Sequence, residues 1–265
     1  MEKFLLVHVS SQVLALSALI IFIGLALGGL FLVRHSVGLS TLERHNDVAG
    51  FIIAVIGVLY AVLLAFVVVV SWQNFDGASS TASHEAEIVS GLYRDASVFG
   101  AQGPGIRRSL ENYAVHVVTR EWTSMRVHQY ADQQTDEALD GVWAAYRSYA
   151  PQNPTEEAFY TDSIRRLNDL QAARSDRLEA SDSQLPSILW GVLLGGAIIT
   201  IGFTYFFGVP NLRAHALMVA ALAAIISLTL FLVLSLDLPF SGGIAVPPTS
   251  MTHAIAEMHH YAGEK

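Results

Sequence analysis

The residues that could do chemistry in this chain are few, and they cluster at the ends of long apolar runs. His45, Asn46 and Asp47 stand immediately before an uncharged stretch from Val48 to Val70, and Asp237 closes another such stretch. A carboxylate at the mouth of a membrane-length segment is either an ion ligand or a helix cap that satisfies free backbone amides and suits the helix dipole. Capping or interfacial anchoring is the commoner role for both acids, and Asp47, at the start of its helix, suits it better still. Asp47 and Asp237 fall on opposite faces of the membrane, so within one chain they cannot build one site. Tyr60 carries the only hydroxyl between Val48 and Val70. Buried in a membrane helix, it either bonds across to another helix or lines an aqueous path.

Elsewhere the chemistry thins out. There are ten histidines, but their spacing is poor for metal: His259 and His260 share a helix face only with Glu257, and zinc takes three or four ligands. No GxSxG, HExxH or P-loop pattern occurs, and Glu121 beside Arg120 and Trp122 reads equally well as one face of a packed helix. With no cysteine, disulfides, thiolate metal sites and a Cys nucleophile are excluded. The expectation is a protein that is not an enzyme and holds no cofactor.

The elements that position these residues are helices. Only 14% of the 265 residues are charged while 52% are hydrophobic, against about 25% charged for an ordinary soluble domain. Four uncharged runs are long enough to cross about 30 Å of hydrocarbon: about 13–33, 48–70, 188–207 and 214–236. The first is too long, and ends too bulkily in Phe31-Leu32-Val33, for a cleaved signal peptide. In the second run Gly50, Ala54, Gly57, Ala61 and Ala65 fall on one stripe suited to close helix contact. The other side carries Ile52, Leu59, Leu63, Phe66 and Val70 and suits lipid, a partner chain or the wall of a dry pore; Ile52, Ile56, Leu59, Tyr60, Leu63 and Phe66 are the candidates for lining such a pore. Gly24 and Gly28 form a further GxxxG pair in the first run.

Residues 73–185 differ in kind, with ten arginines against seventeen acids and no lysine, a local charge of −7. Such a segment repels nucleic acid and anionic headgroups and attracts cations. Helical periodicity continues from the second run toward Phe99, with Gly77 the expected bend and the stop at Gly100–Gly105. Further amphipathic helices are expected over about 106–130, 135–149 and 155–185. The predicted fold is therefore an all-α integral membrane protein in four parts: an N-terminal pair of spans (1–72), a helical cytosolic insertion between spans two and three (73–185), a C-terminal pair of spans (186–250) and a tail (251–265) with a short helix over 254–261. Lysine and arginine counts near the membrane tie, so charge bias does not set the orientation.

Four motifs give the chain a family likeness: His45-Asn46-Asp47-Val48-Ala49-Gly50; Gly57-Val58-Leu59-Tyr60-Ala61-Val62-Leu63-Leu64-Ala65-Phe66; Glu121-Trp122 with Met125; and Leu236-Asp237-Leu238-Pro239-Phe240-Ser241-Gly242. Over about residues 10–250 the chain resembles the bacterial bestrophin-like proteins, first described as a domain of unknown function. The resemblance implies a pentameric ion channel in the bacterial inner membrane, with span two lining a hydrophobic neck and with both termini and the helical insertion cytoplasmic. Its partners would be the bilayer, further copies of itself and inorganic ions, cations more than anions given the acidic insertion. The tail after Pro248 holds only Glu257 and Glu264, which departs from the acidic calcium clasp of eukaryotic bestrophins. The competing expectation is a non-conducting, membrane-anchored interaction or sensory module whose cytosolic helices bind a protein partner.

Overall fold

An uncharged run in lipid can satisfy its backbone amides only by hydrogen bonding to itself, and each of the four runs does so as a helix. The computed structural model describes residues 10–37, 39–43, 46–127, 130–182 and 184–263; His45 lies outside them. In chain order the helices are α1 (Ser11–Ser36), α2 (Leu39–Glu43), α3 (Asn46–Asp95), α4 (Gly103–His116), α5 (Trp122–Val127), α6 (Gln133–Arg147), α7 (Pro154–Asp182), α8 (Ser187–Thr204), α9 (Leu212–Leu236) and α10 (Thr249–Gly263). No strand occurs among the described residues. α1, α3, α8 and α9 contain the four windows long and apolar enough to cross a membrane, so the chain is a multi-pass membrane protein.

Two compact units form, and neither is continuous in sequence. The membrane unit comprises residues 8–73 and 184–237. Its core joins Ala26 and Leu30 of α1, Tyr60, Leu64 and Val67 of α3, Leu193 and Ala197 of α8, and Val219, Ala223 and Val233 of α9. Caps fix the helix starts as the sequence requires. Pro186 occupies the N-cap of α8, and the Asn211 side chain accepts from the Arg213 and Ala214 amides at 3.0 and 3.3 Å to open α9. The close approach on α1 is at Gly29 rather than at Gly24 or Gly28. A Cβ on Gly29 would stand 2.7 Å from the Tyr205 ring, whereas one on either of the others would meet nothing within 4 Å.

The second unit comprises residues 74–183 and 238–265. α3 continues unbroken through Gly77 to Asp95, where two 3-10 turns and Gly100, at φ +50°, end it. The expected helix over 106–130 is interrupted by a π-helical turn, Val117–Glu121. Asn153 and Glu156 form a capping box at the head of α7: the Asn153 side chain accepts the Glu156 amide at 3.0 Å, while the Glu156 carboxylate accepts the Gln152 amide at 2.8 Å. The C-terminal residues are part of this packing. Met251, Ala254 and Met258 of α10 are buried in the same core as Leu92, Tyr113, Val142 and Leu170.

Candidate functional site

Two arrangements carry the functional argument, one in each unit. The first is α3 within the membrane. It meets α8 at Tyr60, and Ala49, Leu64, Val67 and Ser71, on one line with Tyr60 along the helix, are buried as well. The Tyr60 hydroxyl donates to the Leu193 carbonyl at 3.0 Å, and its ring lies on Gly196, where a Cβ would stand 2.5 Å away. The glycine that permits close approach is thus on α8, and the large residue is on α3.

With about 100° between successive residues, this line divides the surface of α3. The small residues Gly50, Ala54, Gly57, Ala61 and Ala65 lie about 100° to one side of Tyr60. Ala54, Ala61 and Ala65 are exposed, and a Cβ at Gly50 or Gly57 would meet nothing within 4 Å. Ile52, Ile56, Leu59, Leu63 and Phe66 flank the other side; Leu59 and Phe66 are each 67% exposed, and Ile56 and Leu63 are half-buried against α8. Directly opposite Tyr60 stand Phe51, Val55, Val58, Val62 and Val69, all exposed. Of the pore-lining candidates, therefore, Tyr60 sits inside the chain's own packing, Ile56 and Leu63 border it, and Ile52, Leu59 and Phe66 face outward.

The polar residues at the ends of the spans hold loops in place. Asn46 makes a reciprocal pair with Gly208, donating to its carbonyl at 3.1 Å and accepting its amide at 2.9 Å. Asp47 is exposed in the first turn of α3, where its charge suits the dipole. Asp237 is buried; it accepts the Leu185 amide at 2.6 Å and the Trp190 indole N–H at 3.4 Å, and so anchors the segment leading into α8.

The second arrangement is a buried charge network that sequence reasoning reached only at Glu121. The π-turn adds a residue to one turn of helix and lets both Glu121 and Trp122 face inward. Arg177 of α7, fully buried, pairs through two nitrogens with the Glu85 carboxylate of α3 and through Nη2 with Glu121 at 2.5 Å. Its remaining nitrogen reaches the Met125 sulfur, and its guanidinium carbon lies 5.1 Å from the centre of the Trp122 ring. Arg174 bonds Glu121 through two nitrogens and Asp136 at 2.5 Å. The Tyr113 hydroxyl donates to Glu85 at 2.5 Å.

Burial alone would raise the Glu121 carboxyl, but hydrogen bonds from Arg174 and the charge of Arg177 outweigh it and hold the group below the usual carboxylate range. Burial, then the charge of Glu85, pushes the Tyr113 phenol well above its ordinary value. Near neutrality, therefore, Glu121 is held as a carboxylate between two guanidinium cations and the Tyr113 phenol is held neutral. A signal for it exists in the sequence. Glu85 falls on the stripe of Ala78, Ala82, Val89 and Leu92, and Arg174 and Arg177 fall on that of Leu167 and Leu170, so opposite charges occupy apolar stripes that must bury.

Two of the motifs in the sequence meet beside this network. The Trp122 and Phe240 rings are 5.5 Å apart, edge to face, and the Trp122 indole donates to the Val246 carbonyl at 3.1 Å. Ser241 donates to the Arg126 carbonyl at 2.8 Å, and Gly242 turns the chain at φ +82°.

The family model described as the bestrophin-like domain matches residues 20–251. The crystal structure of a membrane protein shares the fold at a TM-score of 0.65 and 12% identity, over 92% of this chain and 96% of that one. No curated protein matches the sequence.

Proposed function

Because the chain belongs to the bestrophin-like family, we propose that it assembles with copies of itself into an ion channel of the bacterial inner membrane, with the α3 helices surrounding the conduction path. The observation that carries this reading is the apolar face of α3 opposite Tyr60. Phe51, Val55, Val58, Val62 and Val69 form a continuous exposed strip along a helix whose other side is already taken up by α8. If α3 packs outward on its own α8, the strip that looks toward a central axis is this one, bordered by Phe66 and Leu59. A passage so lined has no side-chain polar group to replace an ion's hydration shell, and it opens and closes by wetting and dewetting of a hydrophobic constriction.

Cation preference rests on the helical unit. The buried arginines are matched by Glu85 and Glu121, while Asp76, Glu87, Asp140, Asp176, Glu179 and Asp182 remain at the surface. A negative vestibule concentrates cations at its mouth. With four spans both termini emerge on one side, together with the insertion, and the reading places them in the cytoplasm. The family likeness implies five subunits. The protein acts as a conduit and not as a catalyst.

Purified oligomer in planar bilayers under a KCl gradient tests the proposal. The expected result is a current whose reversal potential moves toward the potassium equilibrium potential. Reversal toward the chloride potential overturns the selectivity, and no current from confirmed oligomers under any gradient overturns the channel.

A further inference from the structure

In the helical unit, the outer half of α3 and the C-terminal helix α10 leave an open groove of about 450 Å³, a volume in the range of small-molecule sites. Its walls are charged: Glu87 and Arg94 line it from α3, and His253 and Glu257 from α10. All four are exposed, and among the described residues none of them makes a hydrogen bond or an ion pair. Elsewhere in the same unit Arg120, Arg165, Arg166, Arg174 and Arg177 are each paired with an acid. Opposite charges that line one groove without meeting leave room for a ligand that pairs with each of them.

The order of these charges along the groove follows from the helices. α3 and α10 run in the same direction, with the Ser83 and Ser250 hydroxyls 2.9 Å apart at one end of the groove. At about 1.5 Å per residue, Glu87 stands about 6 Å beyond that end, Glu257 about 10 Å and Arg94 about 16 Å. The sequence of groups is therefore carboxylate, carboxylate, guanidinium, with His253 on the wall across from Glu87. Ser83 Oγ donates to the Ser79 carbonyl at 3.1 Å and so accepts the Ser250 proton. With both hydroxyl hydrogens committed, the serine end next to Glu87 offers only acceptors.

We propose that this groove binds a basic amino acid. The side-chain cation lies at Glu87 beside the serine oxygens, the α-ammonium at Glu257 and the α-carboxylate on Arg94, which is the order in which these groups follow one another in lysine or arginine. Two carboxylates against one guanidinium leave the groove net negative, and the ligand carries the opposite imbalance. An acidic amino acid would set an anion against Glu87, and a diamine would leave Arg94 unmatched. The bound amino acid bridges α3 and α10 and clamps the C-terminal helix. The site lies wholly within the helical unit and is independent of conduction.

Titration calorimetry of the purified full chain with L-lysine and L-arginine tests the proposal, with hydrogen exchange read on the same samples. Saturable binding is expected, together with slower exchange in α10. Glu87→Gln and Glu257→Gln are each expected to weaken lysine by about three- to tenfold, the range for a charge-assisted contact at an exposed site. Arg94→Gln is expected to weaken lysine as much while leaving cadaverine, which lacks the carboxylate, unchanged. All three residues are exposed, so the variants keep the core, and Glu179→Gln, an exposed acid outside the groove, serves as the control that changes nothing. The proposal is overturned by no saturable binding of either basic amino acid, by glutamate binding as tightly as lysine, or by groove variants that bind lysine as the parent does.

Discussion

Replacing Arg177 with methionine removes the one cation that touches both buried carboxylates, and the consequences for the two are unequal. Glu121 keeps Arg174, which bonds it through two nitrogens, whereas Glu85 is left with only the Tyr113 hydroxyl, and all three acidic and phenolic groups are at 0% exposure. Removing one partner of a buried pair costs about 3–5 kcal/mol, because the remaining charge is stranded in low dielectric. The lost contacts with Met125 and Trp122 add little, since methionine refills most of that space. At about 1.4 kcal/mol per decade, this corresponds to a loss of roughly two to three and a half decades of hydrogen-exchange protection in α4 and α7. Glu85→Gln combined with Arg177→Met removes the stranded charge, and the pair is expected to recover at least about 1 kcal/mol relative to Arg177→Met alone. Hydrogen exchange by mass spectrometry on detergent-solubilised protein reads both quantities. A single variant within about 0.5 kcal/mol of the parent, or a double variant no better than the single, would refute the assignment of these charges to one coupled network.

Two further outcomes follow from the same geometry. In the membrane unit, Tyr60→Phe loses one interhelical hydrogen bond and is expected to cost about 0.6–1.7 kcal/mol in thermal stability, while Gly196→Val drives a branched side chain into the Tyr60 ring and costs more; equal effects would show that the hydroxyl, not the ring on glycine, carries the contact. In the helical unit, the Glu121 carboxyl lies below its unfolded value, so the stability it contributes is complete above roughly pH 4.3 and is lost as pH falls through the folded value. Glu121→Gln, with Arg174, Arg177 and Asp136 still facing the site, is expected to flatten the dependence of the exchange midpoint on pH in that acidic range, and an unchanged slope would remove Glu121 as its source.

The four membrane helices were legible in the sequence because an uncharged run of this length has one stable form in lipid, and runs 48–70 and 214–236 lie within helices Asn46–Asp95 and Leu212–Leu236. Which glycine makes a contact was not legible. Gly24 and Gly28 form the motif, but Gly29 meets Tyr205, since glycine spacing records where a helix could approach and not where one does. Tyr60 divides in the same way: its position midway in a span called for a partner, but only the fold reveals the Leu193 carbonyl and so directs the opposite strip outward. The π-turn at Val117–Glu121 left no mark, because its residues are ordinary helix residues and the extra one per turn is imposed by packing. The C-terminal helix was undervalued for a related reason. Met251, Ala254 and Met258 make too narrow a stripe to announce burial until the groove that accepts them is known.

The buried network also bears on how the outer half of α3 keeps its place. The stripe it buries, Ala78, Ala82 and Ala86 before Val89 and Leu92, begins with side chains so small that a one-turn slip against a partner helix would change the packed volume little. Apolar contact alone therefore specifies the register of that half weakly. Glu85 lies within this stripe, and its two bonds to Arg177 admit only one register, because a slip of about 5.4 Å would separate both and strand two ions. A buried ion pair adds little net stability over an apolar pair, so its contribution here is selective: it penalises every register except the one seen. Within the helical unit, then, a carboxylate and a guanidinium set the register of the outer half of α3, as the Tyr60 hydroxyl holds its inner half against α8 within the membrane unit.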